Sequence, residues 1–133
     1  MTTHTKVLIV DDDPDFVESN QDLLEAYGYD VATASDGTSG LELARTFRPD
    51  VMILDVMMAT ETEGFEVARR IPETPELRDV RVLLVTGVTK DMRLPYSFEP
   101  DDTWLPVERV LEKPIAPERL LSEIEKVAGK PRA

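Results

Sequence analysis

At 133 residues with 41% hydrophobic positions, the chain is sized for one domain with a core of its own. Fifteen basic against 27 acidic residues give a formal charge of -12, which argues against electrostatic binding of nucleic acid or membrane and favours metal ions and basic partner surfaces. The absence of cysteine excludes disulfides, thiolate metal sites and cysteine nucleophiles. The polar start from Met1 to Lys6 is no signal peptide, and no run approaches the roughly 20 apolar residues of a membrane span, so a cytoplasmic location is expected.

Short apolar runs alternate with helix-like segments along the chain. Lys6–Val10 opens as a strand, and Asp13 before Pro14 then supplies an N-cap and a residue suited to the first helical position. Phe16, Asn20, Leu23, Leu24 and Tyr27 follow at helical spacing until Gly28 stops the helix. Asp30–Ala34 predicts a second strand, and Gly37–Phe47 a helix with Leu41, Ala44 and Phe47 or Arg48 on one side, ending before Pro49. A third strand is expected over Val51–Leu54, a shorter helix over Gly64–Ile71 before Pro72, and strands over Val80–Val85 and Arg109–Leu111. The last helix, Pro117–Ala128, places Leu120, Leu121, Ile124, Val127 and Ala128 on one stripe.

The first, third and fourth strands are almost unbroken Val, Ile, Leu and Met, as central parallel strands covered on both faces should be, whereas the second and fifth look like flank or edge strands. The expected fold is therefore an α/β, doubly wound five-stranded parallel sheet, with ligands at the carboxyl ends of its strands. Those ends carry Asp11 and Asp12, Asp55, Thr86 and Lys113. Singly, each has a plain structural reading: Asp caps helices, Thr suits strands, and Lys is commonly a solvated charge. Jointly they do not. Carboxylates about 5 Å apart at an effective dielectric of about 20 repel by on the order of 3 kcal/mol per pair. An oxygen-rich cluster of this kind suits Mg2+, and with a lysine and a hydroxyl beside it can hold a transferring phosphoryl group.

The segments VLIVDDDPDF, VMILDVMM, VLLVTG and VLEKP, in this order, resemble the receiver domains of two-component response regulators, of the chemotaxis-regulator-like single-domain kind, over roughly Lys6 to Ala128. The resemblance implies a flavodoxin-like strand order 2-1-3-4-5 and a set of roles. Asp55 would accept a phosphoryl group from a phosphohistidine on a sensor histidine kinase or phosphotransfer protein. Asp12, Asp55 and the backbone carbonyl of Met57 would bind Mg2+, with Asp11 holding a metal-bound water. Thr86 would donate its hydroxyl to the phosphoryl group, Lys113 would pair with one of its oxygens, and Pro114 would follow a cis peptide. Recruitment of Thr86 would carry the change to an unknown downstream protein.

The chain also departs from that pattern. Val110 stands where an aromatic residue usually answers the threonine, so the usual coupling cannot operate. Pro95, Pro100 and Pro106 lie where a fourth helix should run, which limits helix there to Thr89–Leu94 and predicts a short or loop-replaced element. Tyr96, Phe98 and Trp104 in this stretch admit two readings, filling the space a shortened helix leaves or anchoring a partner. Ala59 replaces a common proline, and Ala59–Glu63 is one residue longer than usual. Met57 and Val88, both apolar, cannot orient an attacking water, which predicts slow hydrolysis of the phosphoryl group. His4 lies in the N-terminal tail and is read as incidental.

Two other functions compete. A Mg2+-dependent phosphatase of the haloacid-dehalogenase type would use Asp11 and Asp13 as a D-x-D pair, but Asp15 stands where that motif has Thr or Val, Asp101 and Asp102 precede the lysine, and no cap domain is present. A pseudo-receiver would keep the fold as an interaction module without phosphorylation, which the intact acidic, threonine and lysine positions disfavour. Only Gly129–Ala133 follow the last helix. The expected organisation is a single receiver domain over 1–133 without an effector domain, either a regulator acting by docking or onward phosphotransfer, or a segment of a longer protein.

Overall fold

The computed structural model describes residues 5–55, 63–71, 73–77, 79–86, 109–112 and 115–128, with side chains described for most of these. Strands β1 (Lys6–Val10), β2 (Asp30–Ala34), β3 (Val51–Asp55), β4 (Arg81–Thr86) and β5 (Arg109–Glu112) alternate with helices α1 (Pro14–Ala26), α2 (Gly37–Phe47), α3 (Glu63–Arg70) and α4 (Pro117–Ala128). All neighbouring strands are parallel, in the order β2-β1-β3-β4-β5. The three most apolar strands are thus central and the two others form the edges.

The alternation of side chains along a strand divides the core into two layers. Leu8, Val10, Met52, Leu54, Val82 and Leu84 face Ala44 of α2 and Val67 and Ala68 of α3. Val7, Ile9, Val51, Ile53, Leu83 and Val85 face Leu24 of α1 and Leu120, Ile124 and Val127 of α4. Full burial of each large side chain contributes about 1.5 to 3 kcal/mol, and because both faces are covered, a one-residue slip would exchange the two layers. The register carrying the strand ends is therefore fixed by the core.

Helix ends follow the side chains available. Asp13 is the N-cap of α1, its carboxylate accepting from the amides of Asp15 and Phe16, and Asp36 caps α2 by accepting from Ser39. At the far end of α1, Gly28 adopts φ 90°, and the amides of Gly28 and Tyr29 donate to Glu25 and Leu24 at 3.1 Å each, a Schellman closure that glycine permits. Tyr27, at the C-cap with φ -98°, has left the helical path and is 67% exposed, off the stripe its spacing suggests.

Other boundaries shift by one residue. Val80 is not in β4: its amide donates to the carbonyl of Leu77, the last residue of the 3-10 turn Pro75–Leu77, and the ladder starts at Arg81. β3 and β4 extend to Asp55 and Thr86, so both chemically pointed residues close their strands instead of following them. α3 begins at Glu63, one residue before the glycine. The expected segment Thr89–Leu94, the three prolines and the aromatic trio after it lie outside the described residues.

Candidate functional site

Val10 is the register partner of Leu54, so the next positions on these adjacent strands, Asp11 and Asp55, come together at the same edge of the sheet. Asp55 continues the β3 row facing α1 and α4, and Asp11 and Asp55 are both buried, at 2% and 5% exposure. Asp12, one residue on, is exposed. One carboxylate oxygen from each of the three lies within 4.8 Å of the others. The three acidic residues singled out by sequence are therefore brought to one place.

The backbone that delivers them is tied at several points. The Asp11 amide donates to the Ala34 carbonyl at the end of β2 (3.0 Å). Asp11 Oδ1 accepts from the Asp13 amide at 2.8 Å. Asp13 in turn is held by its own cap, with Oδ1 accepting from Asp15 and Phe16 at 3.1 and 3.4 Å, and its carbonyl accepting from Val17 at 3.0 Å. A side chain so engaged is poorly placed to act as the general acid of a D-x-D phosphatase, in keeping with the view that Pro14 makes Asp13 a helix cap.

On the other side of Asp55, its register partner on β4 is Val85, and Thr86 stands one step beyond. Thr86 pairs with Glu112 on β5, and Lys113 is the next residue in the chain. The backbone thus orders Asp11, Asp55, Thr86 and Glu112 across four adjacent strand ends. The Thr86 and Val110 side chains, and Met57, Val88, Lys113 and Pro114 altogether, lie outside what is described.

Chemically, the described cluster is a set of hard oxygen donors, two of them shielded from water, which is the donor chemistry that suits a small divalent cation retaining some of its waters. A groove of about 860 Å³ adjoins it, running between α1 and α2 over the ends of β1 and β2 and lined by Asp11, Asp12, Val17, Ser35, Ser39 and Glu42 among others. Sequence reasoning singled out none of the last four. The signal for Ser35 and Ser39 was their position around the Asp36 cap, just after a strand. Among the described residues no helix is long and apolar enough to cross a membrane.

Comparison with known proteins gives the arrangement a context. The model of the response regulator receiver domain matches residues 7–125. Protein PilH of Pseudomonas aeruginosa is 34% identical over 125 residues, covering 92% of this chain and 96% of PilH. The alkaline phosphatase synthesis transcriptional regulatory protein PhoP of Bacillus subtilis is 31% identical over 122 residues, but these span 92% of this chain and only 48% of PhoP. Among solved structures, the chemotaxis response regulator CheY4 of Vibrio cholerae superposes with a TM-score of 0.77 at 31% identity, covering 94% of this chain and 99% of CheY4.

Proposed function

Since the chain belongs to the response regulator receiver family of two-component systems, and so has a phosphoacceptor signalling role, we propose that Asp55 is its acceptor. The observation carrying this assignment is the convergence of Asp11, Asp12 and Asp55 at the carboxyl edge of the sheet, with Asp55 on a central strand and buried. A carboxylate oxygen of Asp55 attacks the phosphorus of a phosphohistidine on a sensor histidine kinase or phosphotransfer protein. The P–O bond forms as the P–N bond breaks, and the electron pair returns to the imidazole nitrogen.

Asp12, Asp55 and the carbonyl of Met57 would hold Mg2+, with Asp11 holding a metal-bound water, and the ion when bound supplies positive charge for the phosphoryl oxygens. Thr86 donates its hydroxyl to the phosphoryl group, and Lys113 pairs with one of its oxygens. The order of Asp55, Val85 and Thr86 across β3 and β4 supports the first role, and the place of Lys113 directly after β5 supports the second. The role is that of a signalling domain accepting one phosphoryl group per event, not a turnover enzyme, in a cytoplasmic setting. The near-complete mutual coverage with PilH supports a single receiver unit over 1–133, passing its signal by docking or onward phosphotransfer.

Incubation with acetyl phosphate or beryllofluoride and Mg2+ tests the assignment by intact mass and thermal stability. With acetyl phosphate, wild type should gain one phosphoryl mass and Asp55→Ala none, and with beryllofluoride only wild type should gain thermal stability. Modification that persists in Asp55→Ala would overturn the assignment.

A further inference from the structure

Asp11 is held from two sides. Its amide is anchored to the end of β2 through Ala34, and its Oδ1 accepts from the Asp13 amide at 2.8 Å. The second restraint depends on the orientation of one peptide unit, the Asp12–Asp13 amide. That orientation is set by Asp13 itself: its carboxylate caps α1 at Asp15 and Phe16, its carbonyl accepts from Val17, and Pro14, at the first helical position, restricts it to extended backbone, observed at φ -89°, ψ 105°. The first turn of α1 thus acts as a bracket for a carboxylate two residues upstream, although Asp13 is not among the three clustered acids.

We propose that Asp13 is a positioning residue for cation binding: by capping α1 it aims the amide that fixes the Asp11 carboxylate against Asp12 and Asp55. The proposal rests on the Mg2+ site assigned above and deepens it. Outer hydrogen-bond partners that orient the side chains of a metal site weaken affinity when removed, commonly by 10- to 100-fold. Here the carboxylate keeps its identity and loses the tether on its partner amide, so the lower end of that range applies. The Asp13 charge is a separate contribution, because an asparagine caps a helix about as well as an aspartate and carries no charge. The cap of α2 provides a matched control, since Asp36 accepts from Ser39 at 2.8 Å in the same way and is not one of the clustered acids.

Mg2+ binding by titration calorimetry, together with thermal unfolding in metal-free buffer, tests the idea on the full chain. Asp13→Ala should bind Mg2+ about tenfold more weakly, Asp13→Asn should stay within about threefold of wild type, and Asp36→Ala should lose stability as Asp13→Ala does while binding Mg2+ like wild type. Asp13→Gly, which removes the side chain at a smaller cost to the helix, replaces Asp13→Ala if the alanine variant does not fold, with the same loss expected. Wild-type affinity in Asp13→Ala or Asp13→Gly overturns the proposal and leaves the Mg2+ site standing. Equal weakening in Asp13→Asn overturns it in favour of a charge effect. An equal loss of affinity in Asp36→Ala overturns it in favour of general destabilisation. Absence of Mg2+ binding by wild type overturns the site itself, and the proposal with it.

Discussion

Replacing Asp55 with asparagine should stabilise the metal-free protein, and the geometry sets an upper bound on the gain. The clustered oxygens lie within 4.8 Å of one another. For the buried pair Asp11 and Asp55, at an effective dielectric of about 20, two unit charges at that distance repel by roughly 3 kcal/mol. Asp12 is exposed, so water screens its interaction with Asp55 to about 1 kcal/mol or less. Asparagine preserves the volume and one oxygen of the side chain while removing the charge, so relief of this repulsion favours Asp55→Asn by up to about 3 kcal/mol, less whatever the charged carboxylate gains from its other contacts. With an unfolding entropy near 2.1 cal/mol/K per residue, a chain of this length responds to that bound by up to about 10 °C in Tm. Circular dichroism melts and urea unfolding in buffer containing a chelator measure both quantities. Mg2+ at tenfold its Kd should then raise wild type by about 1.4 kcal/mol and the variant by less. Equal or lower stability of Asp55→Asn without metal, at an unchanged m-value, would refute the account of a cluster held together against its own repulsion.

Three further outcomes follow from the same structure and sequence. An ideal Cβ at Gly40 would stand 2.9 Å from both Cγ atoms of Val10, so Gly40→Ala should destabilise by about 1 to 3 kcal/mol in urea unfolding despite alanine's better helix propensity. Combined with Val10→Ala it should cost less than the sum of the single changes. Burial raises the Tyr29 hydroxyl above its usual 10.0, and the Glu125 carboxylate adds to the shift. Because the folded state prefers the neutral phenol, its contribution to stability is fully present below pH 10.0 and is lost as pH rises through the folded value. Phenolate absorbance should show Tyr29 titrating late, and Glu125→Gln should move it part of the way back. With apolar Met57 and Val88 two residues beyond Asp55 and Thr86, phospho-Asp55 should outlast minutes in a mass-spectrometric time course, and decay within seconds would contradict that expectation.

How much of this was legible in the sequence depends on the physical origin of each feature. The ranges of α2 and α4 agree with those read from periodicity and flanking Gly and Pro, because local chemistry dictates where these helices begin and stop. The strand order needed the family resemblance, since alternation of strands and helices fixes parallel pairing but not which strands are neighbours. Tyr27 and Val80 were misplaced for a shared reason: a turn claimed backbone that side-chain periodicity assigned to a helix or a strand. Glu123 is a different case. Together with Leu120, Ile124 and Val127 it fills the i, i+3, i+4, i+7 stripe of α4 and is 2% exposed, bonded to Arg119 at 3.2 Å. Its spacing announced burial, and its polarity hid it.

The acidic site shows why function was more legible than packing. Hydrophobic residues are interchangeable enough that a run such as Val7 to Val10 identifies a strand and leaves its neighbours open. Three carboxylates at strand ends are not interchangeable with anything, because bringing them together costs several kcal/mol by about 3 kcal/mol per buried pair. A fold that positions Asp11 and Asp55 on adjacent strands, each beyond a fully buried partner, meets that cost with the register of its core. The fixed register prevents the carboxylates from relaxing apart by strand slip, which would exchange the two core layers. What the core cannot set is the direction of the Asp11 carboxylate, since that residue lies past the last β1 position. The first turn of α1 supplies that direction through the Asp13 amide. The sheet edge therefore determines that the charges meet, and the helix start determines the geometry in which they do so, which makes Asp13→Ala against Asp36→Ala, alike in the cap they remove and different in Mg2+ affinity, the comparison that separates binding from folding.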